Sequence, residues 1–204
     1  MFAAPPSLGK GDRSRRELVD IAIDCFSRFG YRGTSIERIA RAAGVTKGAI
    51  YYHFRGKDEL LAATVADRVI AFEQRVQRAC EGQPSSEALR RIARVCIDHA
   101  RSDDHPRFAI TLMVETIDTN DKVSAELRDM MRRFRAFLRN LVRQGQADGS
   151  FDQSADAEAV AAAYTSAVLG AEIQYYQDPE RFAFKKSLAT FLDNLIDNLQ
   201  TKKR

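Results

Sequence analysis

Apolar residues in this chain return every three or four positions, segment after segment, and no stretch alternates apolar with polar as a half-buried strand would. A period near 3.6 places such residues on one side of an α-helix, so the chain is expected to fold as amphipathic helices packed through their apolar faces. Leu18, Ile21, Ala22, Cys25, Phe26 and Phe29 mark the first helix, opened by a Ser14–Glu17 capping box and stopped at Gly30. A second box, Thr34 to Glu37, precedes the stripe Ile36, Ile39, Ala40 and Ala43. Gly44 then turns the chain with a positive φ, Val45 is expected to plug the core, and Thr46 caps a third helix reaching about Phe54.

Beyond Gly56 the helices lengthen. Leu61, Val65, Val69, Phe72, Val76 and Cys80 line a fourth that ends at Gly82 and Pro84, and a fifth, capped by Ser85 or Ser86, turns Leu89, Ile92, Cys96 and Ile97 inward. Pro106 suits the first turn of a sixth, and a seventh runs from Asp121 to about Ala147. Asp156 to Tyr176 is alanine-rich, and the last stripe is Leu188, Phe191, Leu192, Leu195, Ile196 and Leu199. The expected fold is all-α with about nine helices. A flexible basic arm covers residues 1–13, a three-helix unit 14–56, and a larger helical unit 57–204.

Composition limits what such a chain does. With 45% hydrophobic residues and five prolines among 204, it has the material for a packed core. The three cysteines share no paired spacing, and Cys25 and Cys96 fall on apolar faces, so they read as small buried hydrophobes in a reducing cytoplasm. The opening sixteen residues lack the apolar core of a secretory signal, and Ala159–Ala171 is too short to span a bilayer, so no membrane partner is expected. Charge is uneven. Residues 1–57 carry eleven Lys or Arg against five Asp or Glu, whereas the remainder carries 21 against 23. The basic excess lies where helix, tight turn and helix follow one another, which points to a polyanion at that end.

The third helix holds the most informative position. Gly48 sits in its first turn, where glycine costs about 1 kcal/mol relative to alanine. On a helical wheel Ile50 and Phe54 face the other two helices, while Gly48 and Tyr52 point away, flanked by Ala49 and Tyr51. A helix entering the major groove presents its N-terminal residues to base edges, and a missing side chain there lets the backbone come close. Lys47 then reaches a guanine edge or a phosphate and Ala49 a thymine methyl, while Tyr51, Tyr52 and His53 offer polar tips to phosphates. Thr34, Ser35 and Thr46 stand at helix starts and Lys57 opens the fourth helix, all placed to favour an anion.

The segment FSRFGYRGTSIERIARAAGVTKGAIYYHFRGKDELL resembles the N-terminal domain of the TetR family of bacterial transcription regulators. The likeness rests on Phe29-Gly30, Thr34-Ser35, Ile39-Ala40, Ala43-Gly44-Val45, Thr46-Lys47-Gly48, Ile50-Tyr51, the run Tyr52 to Phe54, and Lys57 before Leu60-Leu61. It implies a double-stranded DNA operator as partner, a cavity for a small-molecule effector in helices four to seven, and a homodimer formed through the last two helices. It also implies repression released by the effector, with the protein in the bacterial cytoplasm.

Apolar or amphipathic candidates for that cavity are Phe72, Cys96, Met113, Met131, Phe134 and Tyr164. Glu115, His99, Gln174 and Glu172 are polar anchors that their helical positions would leave in solvent. The effector is a drug-like or cationic molecule or, alternatively, a long-chain acyl compound; no cofactor is called for. Two other functions stay open. An architectural DNA-binding protein without effector would show little sequence preference. An enzyme would have to use His99, Asp103, Asp104 and His105, whose acids more naturally cap the helix at Pro106.

Overall fold

The computed structural model describes residues 10–102, 107–115 and 121–200. Among these, the chain forms nine α-helices: α1 (Lys10–Gly33), α2 (Ile36–Ala43), α3 (Lys47–His53), α4 (Lys57–Cys80), α5 (Ser85–Ala100), α6 (Arg107–Glu115), α7 (Asp121–Ala147), α8 (Ala157–Gln177) and α9 (Phe184–Leu199). The one extended pairing among the described residues is an isolated bridge between Phe151 and Gln200. The helices fall into two compact units, Met1–Arg68 with Phe108–Leu127, and Val69–Arg107 with Arg128–Arg204.

In the first unit α1, α2 and α3 close on Leu18, Ala22, Ile23, Phe26, Ile39, Ile50 and Phe54, joined by Leu60 and Leu61 from the start of α4, all buried. Each large aliphatic or aromatic side chain so buried contributes about 1.5–3 kcal/mol. The sequence-expected turn is present: Gly44 adopts φ 65° and its N–H caps α2. Thr46 caps α3 by accepting from the Ala49 N–H at 3.3 Å.

Four local expectations are corrected. Helix α1 begins at Lys10, so Ser14 and Glu17 lie inside it and do not cap it; Arg15 lies over the Phe54 ring at 4.8 Å and so holds the early turns of α1 to the core. Of the expected arm, residues 10–13 belong to α1, and residues 1–9 lie outside the described residues. The N-cap of α2 is Ser35, which accepts from Arg38 at 3.2 Å, because the Thr34 hydroxyl is taken by the end of α1. Val45 is 39% exposed and plugs nothing. Neither Ser85 nor Ser86 caps α5: its N-cap is Pro84, and Ser85 is already the first, buried residue of the helix. Pro106 lies outside the described residues.

The end of α1 shows why Thr34 is used internally. Gly30 takes φ 68° and ψ 174°, which breaks the helical ladder one turn early. Backbone groups freed by such a break must find partners. The Thr34 hydroxyl donates to the Gly30 carbonyl at 2.7 Å, and the Tyr31 N–H donates to the Glu115 carboxylate at 2.9 Å. Lys57 donates to the Tyr31 carbonyl at 2.9 Å and lies 4.0 Å from the centre of the Tyr31 ring. The Tyr31 hydroxyl donates to Asp58.

In the second unit, α5, α8 and α9 pack around Leu89, Ile92, Cys96, Tyr164, Val168, Leu188, Leu192 and Ile196. The Tyr164 hydroxyl, buried with its ring, donates to the Leu89 carbonyl at 2.8 Å. Asp156 caps α8 through the Glu158 and Ala159 N–H groups. Leu188, Leu192, Ile196 and Leu199 of the last apolar stripe are spent on this unit's own core, and Phe191 and Leu195 are half-buried. No helix among the described residues is long and apolar enough to cross a membrane.

Candidate nucleic-acid interface

Helix α3 is held by Ile50 and Phe54, exposed 0% and 1%, so its orientation on α1 and α2 is fixed by burial. That leaves Gly48, Tyr51 and Tyr52 outside, the two tyrosines exposed 54% and 83%. A Cβ added at Gly48 would meet nothing nearer than the Thr46 hydroxyl at 3.7 Å. Gly48 is also absent from the glycines with positive φ. The fold therefore asks for no glycine here, and an alanine would stabilise the helix. A requirement for the bare backbone must come from something that approaches α3 from outside.

Around this bare turn the groups are polar and basic. Lys47 donates to Glu37 at 3.0 Å, a pair that joins α3 to α2 with both side chains about half exposed. The Lys47 hydrogen bond holds the Glu37 carboxyl below the usual carboxylate range, and the same contact raises the Lys47 ammonium. Ala49 is half-buried beside Gly48. His53 is half-buried and meets the Tyr52 ring edge-on, centres 4.9 Å apart. Ser35 is exposed at the N-cap of α2.

Sequence reasoning passed over Arg38 and Arg41. Both are exposed one turn apart on α2, and they line a shallow groove with Ser35, Glu37 and Phe29. Arg38 lies over the Phe29 ring at 3.9 Å. The signal was present: the polar face of the α2 stripe reads Ser35, Arg38, Arg41 at three-residue spacing.

Two expected contacts lie elsewhere. Thr34 is 2% exposed and its hydroxyl serves α1, so it has nothing to offer a phosphate. Lys57 is half-buried with its ammonium on the Tyr31 carbonyl and ring, which makes it an internal tie of α4 to α1. The other expected residues, Ser35, Thr46, Lys47, Gly48, Ala49, Tyr51, Tyr52 and His53, are exposed or half-buried, and Arg38 and Arg41 are exposed on the neighbouring helix.

The effector-site candidates do not all come together. Phe72 and Phe134 meet with ring centres 6.0 Å apart, and both are half-buried, as is Met131. Cys96 and Tyr164 are buried core residues, the latter with its hydroxyl satisfied. Met113 belongs to the other compact unit. Among the polar anchors, Gln174 is exposed as expected. Glu115, His99 and Glu172 are half-buried instead, Glu115 on Tyr31 and His99 at 3.0 Å from Arg75. Asp103, Asp104 and His105 lie outside the described residues, among which no cluster of three metal-ligating side chains occurs.

Residues 18–64 match the model of bacterial regulatory proteins of the tetR family, and residues 84–200 match the C-terminal domain of BetI-type transcriptional repressors. The HTH-type transcriptional repressor KstR2 of Rhodococcus jostii is 30% identical over 162 residues, covering 76% of each chain. The HTH-type transcriptional regulator SrpR of Pseudomonas putida is 24% identical over 167 residues, 82% of this chain and 77% of that one. In fold, a TetR transcriptional regulator from Chloroflexus aurantiacus superposes with a TM-score of 0.85 at 23% identity, over 94% of this chain and 98% of that one.

Proposed function

The chain belongs to the TetR family of transcriptional regulators, with a C-terminal domain of the BetI type, and from that premise we propose that it is a homodimeric repressor whose α3 reads a palindromic operator and whose hold is released by a small molecule. One observation carries the DNA half of this reading: Gly48 is exposed, uncrowded and of ordinary backbone conformation, a destabilising residue that nothing in the fold requires. Close approach of the α3 backbone to base edges gives it a reason.

In this account Lys47, Gly48 and Ala49 meet bases, while Ser35, Arg38, Arg41, Tyr51, Tyr52 and His53 grip phosphates that fix the register. Two such helices in a dimer meet successive major grooves when their centres lie about 34–36 Å apart, or a multiple of that. An effector that prefers a state with another separation weakens operator binding by its differential affinity for the two states. Helix α4, which follows α3 directly and contributes residues to both compact units, is a candidate lever for such a preference; α7 is divided between the units in the same way. The sign is taken as repression because KstR2 and the BetI-type proteins are described as repressors.

The test is selection of bound fragments from genomic DNA, followed by titration of the selected duplex with native chain and Gly48→Leu. An inverted repeat should emerge, and the variant should keep its helical circular dichroism while losing at least tenfold in affinity. Selection of fragments without a shared motif, or full affinity in Gly48→Leu, would overturn the reading.

A further inference from the structure

Inside the second unit, three polar groups on two helices lack the partners that buried polar groups normally have. The Tyr176 hydroxyl on α8 and the Arg75 Nε on α4 are both buried without a hydrogen bond. Glu172, one turn before Tyr176, meets no ion-pair or hydrogen-bond partner among the described residues, and burial pushes its carboxyl up to about 8. These groups share one region. Glu172 and Arg75 both act on the Cys96 thiol, and Glu172 acts on the Tyr176 phenol, which burial first and Glu172 second push well above its ordinary range. Phe72 and Phe134 adjoin it, Phe72 lying 5.5 Å from His99, which Arg75 contacts.

The chemistry of the three groups selects a ligand. At neutral pH a carboxyl with its midpoint near 8 is mostly protonated, so it presents an O–H, Tyr176 presents a second, and Arg75 an N–H. The three donors share this region, and none of them meets an acceptor among the described residues. A cation would need the opposite setting, an ionised carboxylate and open aromatic faces. The faces at hand already carry charge: Arg107 lies 5.3 Å from the Tyr176 ring centre and Arg75 lies 6.0 Å from that of Phe72.

We infer that Glu172, Tyr176 and Arg75 form the polar end of a binding site for the carbonyl or carboxylate oxygen of a small apolar molecule. Phe72 and Phe134, half-buried beside the core, take its apolar body. The inference rests on the effector-responsive reading above and gives its effector a chemical class.

Direct binding to the full chain without DNA separates the two. Calorimetry would compare 2-undecanone, decanoate and decyltrimethylammonium, three molecules of similar apolar size with a neutral carbonyl, a carboxylate and a cation. The ketone and the carboxylate should bind and the ammonium should not. Ketone affinity should be level from pH 7 to 7.5 and fall about tenfold per unit above 8, as the donating O–H is lost.

Among the described residues, the other charged or titratable groups of this region are Arg75 on α4, Cys96 and His99 on α5, Arg107 at the start of α6, and Tyr175 and Tyr176 on the helix of Glu172. Glu172→Gln keeps a donor and should bind the ketone with no fall up to pH 9. Tyr176→Phe should lose about tenfold.

Tighter binding of the ammonium with affinity rising toward pH 8, or no binding of either oxygen ligand, overturns the site. Binding as described with no change in operator affinity leaves the site standing and removes the effector-release reading instead.

Discussion

In the proposed reading Lys47 stands between two partners, because the Glu37 carboxylate it holds in the free protein would compete with an operator. The contact is exposed, so breaking it costs the fold little. Two substitutions therefore move operator affinity in opposite directions. Lys47→Ala should lower it roughly tenfold, the scale of one base or phosphate contact, while Glu37→Gln should raise it several-fold by freeing the ammonium and removing a negative charge from the interface. Fluorescence anisotropy on the selected operator at fixed salt checks both, and loss of affinity in Glu37→Gln would show that the pair positions Lys47 instead of restraining it.

At this scale the sequence was legible where wheel geometry decides, as at Gly48, Tyr52, Ile50 and Phe54. It failed at Thr34 and Lys57, whose polar groups are claimed by backbone carbonyls of α1 and its last turn, at Gly30 and Tyr31. A capping box is a local pattern, and it does not record that a kink nearby has left a carbonyl in need of a donor. Glu172 was misplaced for a related reason: a lone carboxylate on a helix reads as solvated until its neighbours are known.

Elements were legible as a set because glycine stops and apolar stripes agree with one another over long segments. What the pattern missed is how ends are fastened. The chain between α7 and α8 folds back so that the Phe151 ring lies against Gly145 in the last two turns of α7, and a Cβ at Gly145 would overlap that ring. Phe151 donates to the Gly145 carbonyl at 2.8 Å and Asp152 to the Leu199 carbonyl at 2.8 Å, so the same loop ties the ends of α7 and α9. Phe151 is 1% exposed and has nowhere to move without opening the core. Gly145→Ala should therefore destabilise by about 1–3 kcal/mol, the usual cost of overpacking, although alanine is the better helix former. A lower urea midpoint at unchanged slope is the expected result, and Phe151→Leu in the same chain should recover part of the loss by making room. A midpoint equal to or above the native one would mean that the loop yields freely.

For the whole molecule the question is what covers the outer side of α8. An apolar stripe at helical spacing looks the same whether it faces its own core or a second copy. The last stripe turned mostly inward, whereas Ala159, Ala162, Ala163, Ser166 and Ile173 of α8 stay exposed. Small side chains over four turns let a second helix approach its backbone closely, and half-buried Phe191 and Leu195 on α9 supply apolar area beside it. Ala163→Arg puts a long charge in the middle of that face while touching nothing in the subunit's core. The native chain should sediment as a dimer and the variant as a folded monomer. DNA binding then supplies an independent reading, because each subunit brings its own set of phosphate contacts. The logarithm of affinity falls with the logarithm of salt in proportion to the phosphates neutralised, at about 0.9 per contact. A monomer holding one half-site should show about half the native slope as well as weaker binding. A variant that sediments as a dimer, or a monomer that keeps the full slope, would place the contact between copies on another face of the chain.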